Sequence, residues 1–191
     1  MLEKIKEVLG MKNIPQNQYR QEKKKIKWDH IFLLEALLWS QKSHDPQTQC
    51  GCILVRDKTI LSTGYNGFIR NISDKYLPNL RPHKYNFMIH AEHNAILNCV
   101  KNGISTNNSI AYITGEPCNM CLQYMWQAGI YEIVYSDFND PKMMKNDEFI
   151  QQRNALHKLM NYGLIIDFIP SSKIDFSPIK NIYEKFCITQ K

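Results

Sequence analysis

The chain has no long apolar run: no segment approaches the roughly 18 consecutive apolar residues of a membrane-crossing helix, and the first residues carry no signal-peptide-like apolar core. Glycine and proline are sparse, 8 of each in 191 residues, and no repeat or low-complexity tract is present, which excludes collagen-like and Pro/Gly-rich architectures. Only six cysteines occur, Cys50, Cys52, Cys99, Cys118, Cys121 and Cys187. Most lie in apolar segments, the pattern of free thiols in a reducing compartment, so a cytoplasmic location is expected. Excess positive charge is scarce over most of the chain. The net charge is +6, but residues 1–27 hold eight basic residues against Glu3, Glu7 and Glu22, which leaves +1 from Trp28 onward. A nearly neutral body is poorly suited to track a polynucleotide backbone, which calls for a basic stripe on the domain itself. Neither nucleic acid nor membrane is an expected partner.

What the chain does have is two short motifs. His90-Ala91-Glu92 offers an imidazole and, two positions on, a carboxylate that shares the site without binding the same ion. Pro117-Cys118-Asn119-Met120-Cys121 offers two thiols one helical turn apart, so that on a helix both sulfurs point the same way. One His and two Cys suit zinc, whose tetrahedral shell then keeps a fourth position open for water. His93 is the candidate for closing that shell, because it shares a helical face with His90. A site of His90, His93, Cys118 and Cys121 would be structural, with Glu92 incidental. Structural zinc usually draws its ligands from paired turns, whereas here a proline precedes the Cys pair and apolar-periodic segments follow both motifs. That is the pattern of two helix starts, where positive potential favours thiolates. The order His-x-Glu, then Pro-Cys-x-x-Cys, matches the signature of zinc-dependent deaminases. In such sites activated water attacks an amidine-like carbon and ammonia leaves, with one carboxylate acting first as base and then as acid.

Hydrophobic periodicity sets the frame around the motifs. Leu2, Ile5, Val8 and Leu9 form a stripe ending at Gly10, a short amphipathic helix. A buried helix is expected over 28–43, a hairpin of strands 50–55 and 59–65 turning through Arg56-Asp57-Lys58, and a long polar loop over 66–89. Helices should start at His90 and Cys118 and cover 147–162, with strands at 109–114, 130–136 and 164–169. The 28 positions from His90 to Cys118 leave room for one helix, one loop and one strand between the ligand-bearing helix starts. Strands that alternate with helices after a hairpin imply a mixed sheet whose later strands are parallel. The expected fold is a three-layer α/β/α sandwich of about five strands.

Several further stretches, in order, resemble the deoxycytidylate (dCMP) deaminase family. They are Trp28-Asp29, Ser43-His44-Asp45-Pro46 leading to Gly51, Thr63-Gly64-Tyr65-Asn66-Gly67, Ser73-Asp74, Leu77-Pro78, His90 to Leu97, the Pro117 to Cys121 motif and Gln127-Ala128-Gly129-Ile130. The resemblance spans 28–170 and implies a catalytic domain of the cytidine deaminase type there. A basic N-terminal extension over 1–27 precedes it, and a C-terminal extension over 171–191 is expected to pack on it. It implies zinc on His90, Cys118 and Cys121, a proton shuttle at Glu92, and hydrolysis of dCMP to dUMP and ammonia, which supplies dUMP for thymidylate synthesis. Asn66 resembles a pocket residue that contacts sugar or base, a role compatible with a turn residue beside Gly67. Asp137 either lines the pocket or caps the segment that follows it. Arg70, Arg81 and Lys84 are the local cations for a nucleotide phosphate. The family is often hexameric, with dCTP and dTTP as effectors near the 64–67 turn. Phe68-Ile69-Arg70-Asn71 stands where the family usually has a Pro and a following Gly, and Phe138 where relatives often show Lys-Tyr after Ser-Asp. These departures leave open a bifunctional enzyme that also takes dCTP.

Overall fold

A computed structural model of the chain describes residues 26–139, 151, 154 and 158–187. Helix α1 (Trp28–Ser40) leads into the hairpin β1 (Gly51–Arg56) and β2 (Thr59–Tyr65). Then come α2 (Ala91–Lys101), β3 (Ile110–Ile113), α3 (Asn119–Gln127), β4 (Glu132–Tyr135), β5 (Ile165–Phe168) and α4 (Ser177–Cys187). The five strands form one sheet in the order β2-β1-β3-β4-β5. Pairing is antiparallel at β1/β2 and β1/β3 and parallel at β3/β4 and β4/β5.

Alternation along the strands builds the two cores. Successive strand side chains point to opposite faces. Cys52, Leu54, Ala111, Ile113 and Ile133 therefore pack with Ala91, Ala95 and Cys99 of α2 and Cys121, Leu122 and Met125 of α3. Ile53, Val55, Tyr112 and Val134 pack on the other face with Phe32, Leu33, Leu34 and Ala36 of α1. Both faces of the central strands are covered, so they read as near-continuous apolar runs. The chain is the expected α/β/α sandwich with a mixed five-stranded sheet.

The differences in detail have local causes. Helix α1 stops at Ser40 because Ser43 turns its hydroxyl to the Asn66 carbonyl (2.8 Å) and accepts the Asp45 N–H (3.2 Å). The hairpin turn is two residues, not three: Arg56 pairs with Thr59, and Asp57 and Lys58 take φ of 52° and 61°. Positive φ at both positions is what a type I′ turn requires. The 66–89 loop is pinched at its neck by a Gly67–Ile89 bridge and contains 3-10 turns at Asp74–Tyr76 and His83–Asn86. The expected N-terminal helix and most of the helix expected over 147–162 lie outside the described residues. The end of the latter, Lys158–Tyr162, is a 3-10 turn. At the C-terminus, Ile174 is buried against α1, and the Asp175 N–H donates to His30 Nδ1 at 3.2 Å. No residue of α4 is buried.

Candidate metal centre and active site

Two close approaches set the position of the site. A Cβ on Gly64 would fall 2.1 Å from the Ala91 carbonyl oxygen, so only glycine in β2 lets the first turn of α2 press onto the sheet. Asn94 and Asn98 then donate to the Tyr65 (2.8 Å) and Thr63 (2.7 Å) carbonyls, and Ser62 donates to the Ala95 carbonyl (2.7 Å). Helix α2 is thereby locked to β2 in one register, which fixes the direction of the residues at its start.

His90 and Cys118 are the residues just before α2 and α3, both with extended backbone, and Cys121 lies in the first turn of α3. His90 Nδ1 is 3.6 Å from Cys118 Sγ and 3.3 Å from Cys121 Sγ, and the two sulfurs are 3.5 Å apart. Tetrahedral zinc with Zn–S of about 2.3 Å and Zn–N of about 2.0–2.1 Å puts its sulfurs about 3.8 Å apart and its nitrogen about 3.6 Å from each. The donors fit the ion in type and in spacing. Among the described residues these three are the only such group, with every ligand atom within 4.8 Å of the others. His93 does not join it. Its ring lies edge-on against Tyr124, with centroids 4.6 Å apart, so the four-ligand structural alternative is not what the fold brings together.

Without metal, two of the three donors, Cys121 and His90, hold protons that an ion must displace, while Cys118 is held as a thiolate. Cys118 accepts from Cys121 and His90, which holds its thiol down to about 4. Cys121, which supplies the hydrogen bond to Cys118 and is buried, is pushed well up. His90 is raised to about 8, chiefly by its bond to Cys118. Zinc uptake by the metal-free protein at pH 7 should therefore release about one to two protons per ion. Calorimetry in buffers of different ionisation enthalpy reads that number, and uptake with no proton release would contradict this account of the cluster.

Glu92 completes the centre. It is 5% exposed, with its carboxyl within hydrogen-bonding reach of the Cys121 thiol, and burial raises its pKa. It stands beside the donors without being one of them. Cys50 is close by, and its thiol is pushed up to about 12 by burial first and then by Glu92 and Asp45. Asn139 donates to Cys50 Sγ (3.3 Å) and Thr114 Oγ1 (3.0 Å), tying the loop after β4 to the ends of β1 and β3.

The other sequence candidates separate. Asn66 is 6% exposed beside Cys50, with its side chain committed to the local turn: Oδ1 accepts the Cys50 N–H (2.7 Å) and Nδ2 donates to the Thr48 carbonyl (2.8 Å) and to Asp45 (3.2 Å). Asp137 is not among the metal donors. Its exposed carboxylate accepts the Ser171 N–H at 2.6 Å, which lowers its pKa and ties the segment after β4 to the Ser171–Lys173 turn rather than capping the segment that follows it. Lys84 is no loop-surface cation: it is 2% exposed and paired with Asp45 at 2.5 Å. Arg81 donates to Thr48 Oγ1 at 2.7 Å, and its charge reaches Cys50. Arg70 bonds Asn98 and lines a separate cavity of about 240 Å³ with His44, Tyr65, Phe68, Ile72 and Asn94. Sequence reading missed Asn139 and the Asp45–Lys84 pair. Neither has a local signal, because each is defined by partners tens of residues away.

Comparison with known proteins agrees with this geometry. Residues 26–137 match the model of the cytidine and deoxycytidylate deaminase zinc-binding region. The deoxycytidylate deaminase of Homo sapiens is 37% identical over 168 residues, 82% of this chain and 89% of that protein. The probable deoxycytidylate deaminase of Drosophila melanogaster is 37% identical over 133 residues, 63% of this chain and 64% of that protein, so this chain spans just under two thirds of the fly relative. The crystal structure of dCMP deaminase from the cyanophage S-TIM5, in apo form, superposes with a TM-score of 0.57 at 25% identity, covering 74% of this chain and 96% of that one.

Proposed function

The chain belongs to the cytidine and deoxycytidylate deaminase family, and on that premise we propose that it hydrolyses dCMP to dUMP and ammonia. The observation that carries this reading is a buried carboxylate, Glu92, set beside a three-donor metal cluster but not part of it. Three protein donors leave one zinc position open, and zinc bound there lowers the pKa of water. The chain's own residues do the rest. Glu92 Oε takes a proton from the water that attacks C4 of the cytosine and delivers it to N3. It then takes the proton of the new C4 hydroxyl and hands it to N4, so that the C4–N4 bond breaks, ammonia leaves and C4=O forms. Burial suits the role: a carboxylate whose pKa is raised above its usual range is a stronger base toward water and holds the proton it takes until it is handed on.

The choice of a deoxynucleotide is supported by the names of the human and fly relatives and by the cyanophage enzyme. Arg81, whose charge bears on Cys50, is a cation near the centre that is not already buried in an ion pair, as Lys84 is. We assign it to the phosphate. A charge-assisted contact to phosphate contributes about 1.5–3 kcal/mol, so this one gives a preference for dCMP over deoxycytidine of about ten- to a hundredfold in kcat/KM. Arg81→Ala should cut that preference about tenfold or more while deoxycytidine turnover stays nearly unchanged. Equal efficiency on nucleoside and nucleotide in the unaltered protein would overturn the nucleotide reading in favour of a nucleoside or free-base deaminase. Equal efficiency on dCMP and dCTP would make the enzyme bifunctional.

The cavity beside the 64–67 turn supports a second, regulatory reading, in which dCTP and dTTP act as effectors there, with Arg70 facing their phosphates. The loop there keeps a left-handed residue, since Asn71 has φ of 64° and asparagine tolerates that region. We also propose a homo-oligomer, a hexamer by family resemblance. Leu97 and Val100 on α2 and Met120 and Tyr124 on α3 are exposed apolar side chains on two helices that meet at the contact of His93 with Tyr124, a candidate surface for a second copy.

A further inference from the structure

The loop that leaves β4 is held at three consecutive residues, Asp137, Phe138 and Asn139. Asn139 uses its amide nitrogen at the end of the sheet, where Nδ2 donates to Cys50 Sγ (3.3 Å) and to Thr114 Oγ1 (3.0 Å). Its Oδ1 has no partner among the described residues. Thr114 is fully buried and its Oγ1 also accepts the Gly51 N–H (3.0 Å), so the anchor is part of the sheet. The same end of the sheet delivers the metal donors. A Cβ on Gly115 would stand 3.6 Å from that of Asn139, and the chain runs from Gly115 through Glu116 and Pro117 straight to Cys118. On the other side the Asn66 N–H donates to the Cys50 carbonyl (3.1 Å), and Gly67 is bridged to Ile89, the residue before His90. Asn139 thus joins the two segments that carry Cys118 and His90, with one acceptor still open.

A thiol sulfur is a weak acceptor, so the placement of that amide depends on its neighbours. The C-terminal segment fixes them. Asp137 accepts the Ser171 N–H at 2.6 Å, and Phe138 meets Phe176 edge-on, with ring centroids 6.1 Å apart. The segment that supplies Ser171 and Phe176 is itself anchored. The Ile169 N–H donates to the Tyr135 carbonyl (2.9 Å), Ile174 is buried in the core under α1, and the Asp175 N–H donates to His30 Nδ1 (3.2 Å). Phe138, Asn139 and this segment all lie beyond the 26–137 stretch that matches the family region.

We propose that Ser171–Phe176 is a brace for the active site: it positions Asp137 and Phe138, and through them aims Asn139 Oδ1 at a hydrogen-bond donor of the bound nucleotide. Asp137, Phe138, Ser171 and Phe176 are positioning residues, and Asn139 makes the contact. This rests on the dCMP reading above.

Steady-state kinetics on dCMP with the zinc-loaded full chain test it. Phe176→Ala and Asp137→Ala should each raise KM about three- to tenfold, the scale of one aromatic pair or one hydrogen bond, with kcat changed less than about twofold and zinc stoichiometric. Asp137→Asn keeps an oxygen for the Ser171 N–H, so its KM should stay within about twofold of the unaltered chain. Asn139→Ala should raise KM at least as much as either brace variant, and adding Phe176→Ala to it should raise KM no further. A segment that served stability only would lower the melting temperature of Phe176→Ala and leave its KM alone, which would overturn the proposal. So would an equal rise in KM from Phe176→Ala with and without Asn139→Ala. If Phe176→Ala does not fold, Asp137→Ala, at an exposed carboxylate, decides in its place. An unaltered chain that neither binds nor turns over dCMP would overturn the substrate reading and this proposal with it, an outcome visible before any variant is made.

Discussion

Glu92→Gln is expected to cut dCMP turnover by about 10²–10⁴-fold, the range that general acid–base catalysis contributes, while zinc remains bound at one ion per chain. The two halves of that expectation come from different parts of the site. Glutamine keeps the shape of a side chain that is 5% exposed and packed beside Cys121, so the fold and the donor cluster have no reason to change. What is lost is a group that can accept a proton from water and return it to the base. A kcat measurement paired with metal analysis of the same preparation reads both halves. Near-normal turnover would show that Glu92 is not the proton carrier, and loss of zinc would show that it is a ligand.

Cys118→Ala and Cys121→Ala act on the metal. Each removes one of three donors, and two donors do not hold zinc against buffer. The ion ties the start of α2, through His90, to the start of α3, so its loss also removes a link between two helices. A ligand present at a thousand times its dissociation constant stabilises the folded state by about 4 kcal/mol. For a chain of this size that is a fall in melting temperature of about 8–16 °C. Cys121→Ala should cost more, because Cys121 is also fully buried in the core formed by Ala95, Met125 and Ile133. Melting curves with and without chelator check the mechanism: chelation should lower the wild-type curve toward that of Cys118→Ala and leave the variant unmoved. Stoichiometric zinc in either purified variant would contradict the assignment.

Those residues were readable in the sequence because metal chemistry restricts residue type. Few side chains can replace His90, Cys118 or Cys121 as donors, and at the start of a helix a Cys-x-x-Cys spacing points both sulfurs the same way. The sheet was readable for a similar reason: burial on both faces makes β1, β3 and β4 short, near-continuous apolar runs. Lys84 was not readable. A lysine in a polar loop between prolines reads as surface, and nothing local marks that its partner is Asp45, 39 positions earlier. Asn66 could be placed beside Gly67 in a turn, but the sequence does not say that both of its amide hydrogens are spent within the protein. Asp137 illustrates the limit from the other side. A carboxylate just past a strand end suits a pocket or a cap of the following segment equally, and the bond it makes in the structure, to Ser171 of a later connection, is not marked by anything near it in sequence.

The most direct test of the dCMP reading is ammonia release by the zinc-loaded chain, measured side by side on dCMP, dCTP, deoxycytidine, guanine and single-stranded DNA. The account predicts dUMP and ammonia in equal amounts from dCMP, abolished by chelation and restored by zinc. No release from dCMP, with turnover of guanine or DNA instead, would contradict it.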